Sequence, residues 1–522
     1  MNQQTLLSGG YLADGTGSPL IRADLMIADG CIAGIGDFSQ SVADVHLDCT
    51  GLVIAPGFID IHTHSDLSRL AYPESESRVL QGITTEVIGN CGMSPAPIRG
   101  DPDDVRAIIG PIDVCTDVDM LWNSVDEYFS AVERVPAATN IAPLIGHGTL
   151  ELAASSDRDS ATKSDADRST RLFAELAEAF VAGAWGLSLG LMYSPGELSQ
   201  TDELVELARL VANQDALLSV HMRAYDGAGL QDAVQEVLHI AGLAGVRLQI
   251  SHLRSVHDDG SALNEAIALL ESSDVDVEAD AYPYLAGHTT MLQLLPPELR
   301  ALSNPDIAER IENTPTKVAA MFEANTGFAP TAVTVAKAPK TPAAIGKTLA
   351  ELVEASAHKS WGSLAVALLA ENKLNVDVIV VGTRPEDALR VLRHPLVSVA
   401  SDGIALNLAH DTNLPHPRSI GTFPRAIDEL SRSGMGIPAI VHKMTAKPAA
   451  RIGLTDRGVL ALGAFADVTV FDAATVADRA TYSNPLAVPS GIHHVFVNGV
   501  QVVADGMHTN KLPGRLLRRR TG

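Results

Sequence analysis

Residues 58–66 read FIDIHTHSD, an apolar start running into two histidines and an aspartate. Successive side chains on a strand alternate between faces, so His62 and His64 share one face, with Thr63 between them on the other. Two imidazoles placed this way at the carboxyl end of a strand can hold one metal ion; polar packing at a barrel mouth would give the same pair. Seven later segments repeat the pattern of a short apolar run ending in polar residues. They are TTEVIGNCG (84–92), IAPLIGHG (141–148), WGLSLGLMY (185–193), LLSVHMR (217–223), RLQISHLRS (247–255), VEADAYPY (277–284) and VSVASDG (397–403). Helix-period segments such as 201–214 and 228–243 lie between them. Strands alternating with helices imply a parallel sheet, because each crossover returns the chain over a sheet face. Eight strands with reactive side chains at their carboxyl ends predict an α/β fold, a (β/α)8 TIM-like barrel. A doubly wound open sheet is the alternative, although no GxGxxG turn follows the first strand.

The chain ends have a different rhythm. Residues 1–55 alternate short β-rich runs with Gly and Asp turns, and DVTVFD (467–472) and HHVFVNGVQVV (493–503) resemble them. Neither end is large enough for a core of its own, so the two are expected to form one small β-sandwich domain. The expected division is 1–55 for the first half of the sandwich, 56–430 for the barrel, and 431–522 for a returning helix and the second half. More than a hundred residues separate YPY from the last strand. An insertion at about 286–345 is expected there, with TAVTVA (331–336) and DVIVVG (377–382) as further strands, the latter an alternative last barrel strand.

Composition removes several function classes. Lys and Arg number 38 against 63 Asp and Glu, a net charge of −25, which argues against nucleic-acid binding. Aromatics at 4% leave little for base stacking. Cys31, Cys49, Cys91 and Cys115 are scattered and make no disulfide framework. No apolar run approaches the roughly 18 residues of a membrane span. The opening MNQQTLLSGG lacks a basic start and an apolar core, so a cytoplasmic protein acting on a small molecule is expected. RLLRRR (515–520) reads as a solvated basic tail.

The polar strand ends hold the chemistry. His221 and His252 occupy corresponding places on two later strands, and Cys91 follows the second strand between Gly89 and Gly92. A thiolate with imidazoles suits Zn2+. Asp402, in ASDG, could ligate the metal, accept a proton from its water, or simply make an Asp-Gly turn. Asp60 shares a face with His62 but lies deeper. Cys31, Cys49 and Cys115 fall outside the pattern and read as core or surface thiols. Tyr282 and Tyr284 could bond a substrate carboxylate or carbonyl, or pack at the rim. Arg223, Arg254, Arg418 and Arg425 are candidate carboxylate binders.

HTHSD, QGITTEVIGNCGMSPAP, GLSLGLMY, HMR, ISHLRS, DAYPY, SDG, HPR (416–418) and GTFPR (421–425) together resemble the N-acyl-D-amino-acid deacylases of the amidohydrolase superfamily. The likeness covers most of the chain, and HxH combined with GNCG in place of a carboxylated lysine is particular to this branch. It implies a tight zinc site from Cys91, His221 and His252. It also implies a second, weaker metal position at His62, His64 and Asp402, bridged by Cys91, with Asp402 as general base and then acid. It places Arg254 and Arg418 in the substrate pocket and supplies the D stereochemistry. The chain also departs from the pattern. Members acting on acidic substrates carry a small hydroxyl residue and then an Arg after YPY, where this chain has His288 and Leu294, with the next Arg at 300. Glu151 stands where relatives carry a basic residue. The leucine-rich stretch points to N-acyl-D-amino acids with hydrophobic side chains, or to a substrate that lacks the usual free carboxylate. Dipeptides ending in a D-residue, cyclic amides, ureas and carbamates are the alternatives. The oligomeric state is not legible.

Overall fold

Eight short parallel strands form the centre of the computed structural model, which describes the chain except residues 1–3, 111–117, 157–164, 301, 325–328, 410–412 and 521–522. In sheet order they are Phe58–Asp60, Ile83–Ile88, Asn140–Gly146, Gly186–Gly190, Leu217–His221, Arg247–Ile250, Val277–Ala281 and Val397–Val399. Each pairs in parallel with its neighbour. These are the eight segments read from the sequence. Asn140–Gly146 is buried at every position, as a strand covered on both faces must be. The barrel closes just beyond the strand ends, where Asp402 N donates to His62 O (2.9 Å) and His64 N to Gly403 O (2.8 Å). The seam therefore runs through three of the candidate site residues.

A buried arginine reinforces that seam. Arg78, fully buried, donates to Asp60 on the first strand and to Glu86 on the second (3.1 Å). It also reaches Ser401 Oγ (2.8 Å) and Ser419 O (3.1 Å) beyond the last strand.

The chain ends meet as expected. One sheet is built from N-terminal strands alone, in the order Cys31–Gly36, Asp24–Ala28, Thr5–Ser8, Val45–Asp48. A seven-stranded sheet mixes both ends, with Val53–Pro56 antiparallel to Val468–Phe471. Leu7, Leu25, Ile27, Ile54, Val470 and Phe496 fill the space between them.

The insertion is longer than the expected 286–345. Its antiparallel sheet runs Ala286–Thr290, Asp377–Val381, Val333–Lys337, so DVIVVG is the central strand of the insertion and not a barrel strand. The reason is packing: Leu364, Leu368, Leu369, Val376 and Val378 share one core with Met291, Leu294 and Phe322, so the unit cannot end before them.

The basic tail is docked rather than free, although Arg515 and Arg520 stay exposed. Residues 514–519 lie along the amino-terminal end of the barrel, where Ile141 N donates to Arg515 O (2.9 Å), Leu517 N to Ile141 O (2.8 Å) and Arg519 N to Gly183 O (2.8 Å). Arg518 pairs with Asp126 and Glu133, two of the many carboxylates of this acidic chain. Cys115 lies outside the described residues. Among those described, no helix is long and apolar enough to cross a membrane.

Candidate metal centre

The backbone of the GNCG loop after the second strand is tightly constrained. A β-carbon on Gly89 would stand 2.1 Å from Leu144 O, and one on Gly92 2.6 Å from Gly190 N, so side chains are sterically excluded there. The loop lets Cys91 sit at φ +55°, a left-handed conformation shared by His252 (+35°) and Asp402 (+51°). Such conformations in non-glycine residues cost energy and concentrate at functional sites.

These turns bring Cys91 Sγ to 3.3 Å from His62 Nε2 and 3.6 Å from His252 Nε2. Asp402 Oδ1 lies 3.5 Å from His62 Nε2 and 3.2 Å from His64 Nε2. Two groups result, His62–His64–Cys91–Asp402 and Cys91–His221–His252, with donor atoms within 4.8 Å of one another in each and every residue buried. Tetrahedral zinc with bonds of about 2.0–2.3 Å separates its ligand atoms by about 3.3–3.8 Å, which these spacings approach. Both ring nitrogens of His221 and Nδ1 of His252 are buried without a hydrogen bond. Orphaned imidazole nitrogens beside a thiol are costly unless a cation takes them, so the donor set fits a metal, with Cys91 common to both groups.

The charge states of Cys91, His221 and Asp402 fit as well, while that of His62 runs the other way, toward the imidazolium whose proton a bound metal would displace. Burial alone would raise the Cys91 thiol, but His62 and His221 outweigh it and hold the thiol well below its ordinary value. Burial pushes His221 down to about 4, leaving it neutral. For His62, burial is overcome by Cys91 and Asp280, so its pKa rises. Burial would raise Asp402, but Arg418, 2.6 Å from Oδ2, and the hydrogen bond from His64 hold its carboxyl well below the usual range.

Asp280 is a residue that the strand-end reading passed over. Its Oδ1 contacts His62 Nδ1 (3.2 Å) and accepts from His252 N (2.7 Å), while Gln249 donates to Oδ2 (2.8 Å). One carboxylate thus orients a member of each group. The available signal was parity, since Asp280 shares a strand face with Tyr282.

The model of the amidohydrolase family matches residues 46–503. The chain is 36% identical to an N-acyl-D-glutamate deacylase and 35% identical to a D-aminoacylase, both of Alcaligenes xylosoxydans xylosoxydans. Those alignments cover 98% of this chain and 96% and 97% of the relatives. The chain belongs to the amidohydrolase family. Among solved structures, it is similar to N-acyl-D-glutamate deacylase from Bordetella bronchiseptica complexed with zinc and a phosphonate inhibitor. That match has 32% identity, a TM-score of 0.82, and 99% and 100% of the two chains covered. A D-aminoacylase described as having a binuclear metal centre matches at 31% identity and TM-score 0.83, over 99% of each chain. This amidohydrolase is accordingly a hydrolase of amide C–N bonds.

Beside the candidate metal ligands of the amidohydrolase opens a cavity of about 340 Å³ that reaches Cys91, His221, His252 and Asp402. Arg254, Arg418 and His288 line it, as do Leu294 and Arg300, and Tyr193 and Tyr225, which the sequence reading did not single out. The Tyr193 ring lies 4.7 Å from that of His221. Their only sequence signal was proximity to the strand ends, in GLMY and HMRAY. His288 is held down at about 3 by burial and by Arg418, and so stays neutral. Tyr282 stands behind the wall, accepting a bond from Arg254. Tyr284 does not line the cavity: its hydroxyl turns to Asp478 Oδ2 (2.8 Å), an acceptor supplied by the C-terminal segment. Arg223 is paired with Glu236 (2.8 Å) and Arg425 with Glu429 (2.8 Å). Glu151 pairs with Arg168 (2.6 Å), so a guanidinium still stands beside this position, carried by a different residue.

Proposed function

We propose that this amidohydrolase removes the acyl group from N-acyl-D-amino acids. In this reading Cys91, His221 and His252 hold a tight zinc ion, and His62, His64 and Asp402, with Cys91 shared, offer a second, weaker position. The observation that carries it is the convergence of one thiol, four imidazoles and one carboxylate at the carboxyl ends of the barrel strands. The named activities of the full-length relatives support the substrate class and its D configuration.

Zinc bound there supplies Lewis-acid polarisation of the amide carbonyl and lowers the pKa of water. Asp402, ionised beside Arg418, takes the proton of the attacking water as its oxygen bonds the carbonyl carbon. The C–N bond then breaks, and the same proton passes from Asp402 to the departing amine. Arg254, half-buried between two tyrosine rings and without a carboxylate partner among the described residues, receives the substrate's carboxylate. Leu294 and Leu295 on the cavity wall favour a hydrophobic side chain.

Amine release by the zinc-loaded protein on matched N-acetyl-D- and N-acetyl-L-amino acids, with dipeptides ending in D-residues, tests this. D-selective cleavage of acetylated hydrophobic residues is expected. Silence on every acetyl compound with zinc bound would discard the substrate, and activity on the dipeptides alone would replace it with a dipeptidase.

A further inference from the structure

One position on the cavity wall is glycine for a reason unrelated to backbone freedom. Gly287 lies in the insertion strand Ala286–Thr290, in strand conformation that any residue adopts. A β-carbon there would stand 2.6 Å from Arg254 Nη1, 2.7 Å from Nη2 and 3.0 Å from Cζ. Non-bonded carbon contacts favour about 3.5–4.0 Å, so the guanidinium plane occupies the space of the missing side chain. Two tyrosines hold Arg254 from other sides. Its Cζ lies 5.8 Å from the Tyr225 ring centre and 5.7 Å from that of Tyr282, and its Nη1 donates to the Tyr282 hydroxyl. Tyr225 and Tyr282 come from the barrel, and Gly287 comes from the insertion.

A guanidinium held this way opens into the cavity that Asp402 and Arg418 also line. A fork takes a carboxylate bidentately only when its plane is aimed correctly. We infer that Gly287 is a positioning residue: the insertion aims the Arg254 fork at the substrate's carboxylate by leaving a flat slot for it. This rests on the deacylase reading above. A methyl group at 287 would meet the flexible end of Arg254 rather than backbone, so the fork gives way while the strand persists.

The test compares kcat/KM on N-acetyl-D-leucine with that on N-acetyl-D-leucinamide, which has no carboxylate for the fork to hold. In Gly287→Ala the ratio of the two is expected to fall at least tenfold, carried by KM on the acid. In an Arg254→Lys background, where the planar fork is gone, adding Gly287→Ala is expected to change the ratio less than twofold. An unchanged ratio in Gly287→Ala, or an equal loss in both backgrounds, would overturn the inference. If the wild type cleaves neither compound nor any other acetyl compound of the panel above, the deacylase reading fails, and thermal midpoints still decide the geometry. Gly287→Ala should then lower the midpoint in the wild type and not in Arg254→Lys, and an equal drop in both would refute it. Should Gly287→Ala fail to fold, Gly287→Ala/Arg254→Lys should fold, and its failure would also overturn the slot.

Discussion

Replacing Asp280 by alanine removes one carboxylate that holds two of the proposed ligands. Oδ1 touches His62 Nδ1 at 3.2 Å and His252 N at 2.7 Å, so the change releases an imidazole of the four-residue group and the backbone of a ligand in the three-residue group. Losing such a support lowers metal affinity about 10–100-fold, or about 1.4–2.7 kcal/mol. Hydrogen bonds to a charged group contribute about 1.5–3 kcal/mol each, but only the share that differs between the loaded and empty protein counts toward affinity. The loss in Asp280→Ala should therefore stay within that range although two contacts go. Asp280→Asn should be milder, because its amide oxygen can still accept from both partners once Gln249 turns its own oxygen to the new NH2 group. Zinc competition against a chelator of known affinity measures both variants, with circular dichroism confirming the fold. If Asp280→Ala holds zinc within twofold of wild type, the carboxylate orients neither ligand and the assignment of the two groups is wrong.

Cys91→Ala and His221→Ala should each lose the tight zinc and all turnover, and full zinc retention in both, by elemental analysis, would contradict the ligand set. Asp402→Ala should retain that zinc while kcat collapses; near-normal kcat would remove it as the base. Arg78→Met leaves Asp60 and Glu86 buried without their cation and should cost about 3–5 kcal/mol in urea unfolding. A pH series tests Asp377, whose carboxyl is raised from 3.8 to about 7 by burial, against the opposing pull of Lys337 at 3.5 Å. Because the folded state binds the proton more tightly, its contribution to stability is full below about pH 4 and declines as pH rises to about 7. Asp377→Asn should flatten the thermal midpoint over that window, and an unchanged slope would show that the carboxyl titrates normally.

The barrel was legible because each strand announces itself twice, by a short apolar run and by a polar residue at its carboxyl end. DVIVVG shows where that reading stops. A buried antiparallel strand flanked on both sides is as apolar as a barrel strand, and only its partners, Ala286–Thr290 and Val333–Lys337, tell them apart. His62, His64, Cys91, His221, His252 and Asp402 stood out because few other roles need those residue types at those places. Asp280 did not, since its role depends on His62, distant in sequence and brought near only by the closed sheet. Tyr284 was drawn out of the cavity by Asp478, and RLLRRR onto the barrel floor by Asp126 and Glu133, both contacts that no local pattern encodes.

The shared seven-stranded sheet also bears on how the chain is made. Val53–Pro56 emerges from the ribosome early, yet the antiparallel neighbour that completes its hydrogen bonding, Val468–Phe471, is translated only after the whole barrel. Until then the strand VIAP presents an apolar, unpaired edge, the feature that recruits other nascent chains. The barrel floor waits likewise, since Asn140 accepts from the amide of Arg515, 375 residues downstream. Chaperone occupancy on ribosome-bound intermediates should therefore persist through most of translation, and a stalled product ending before Val468 should aggregate although its barrel strands are all present.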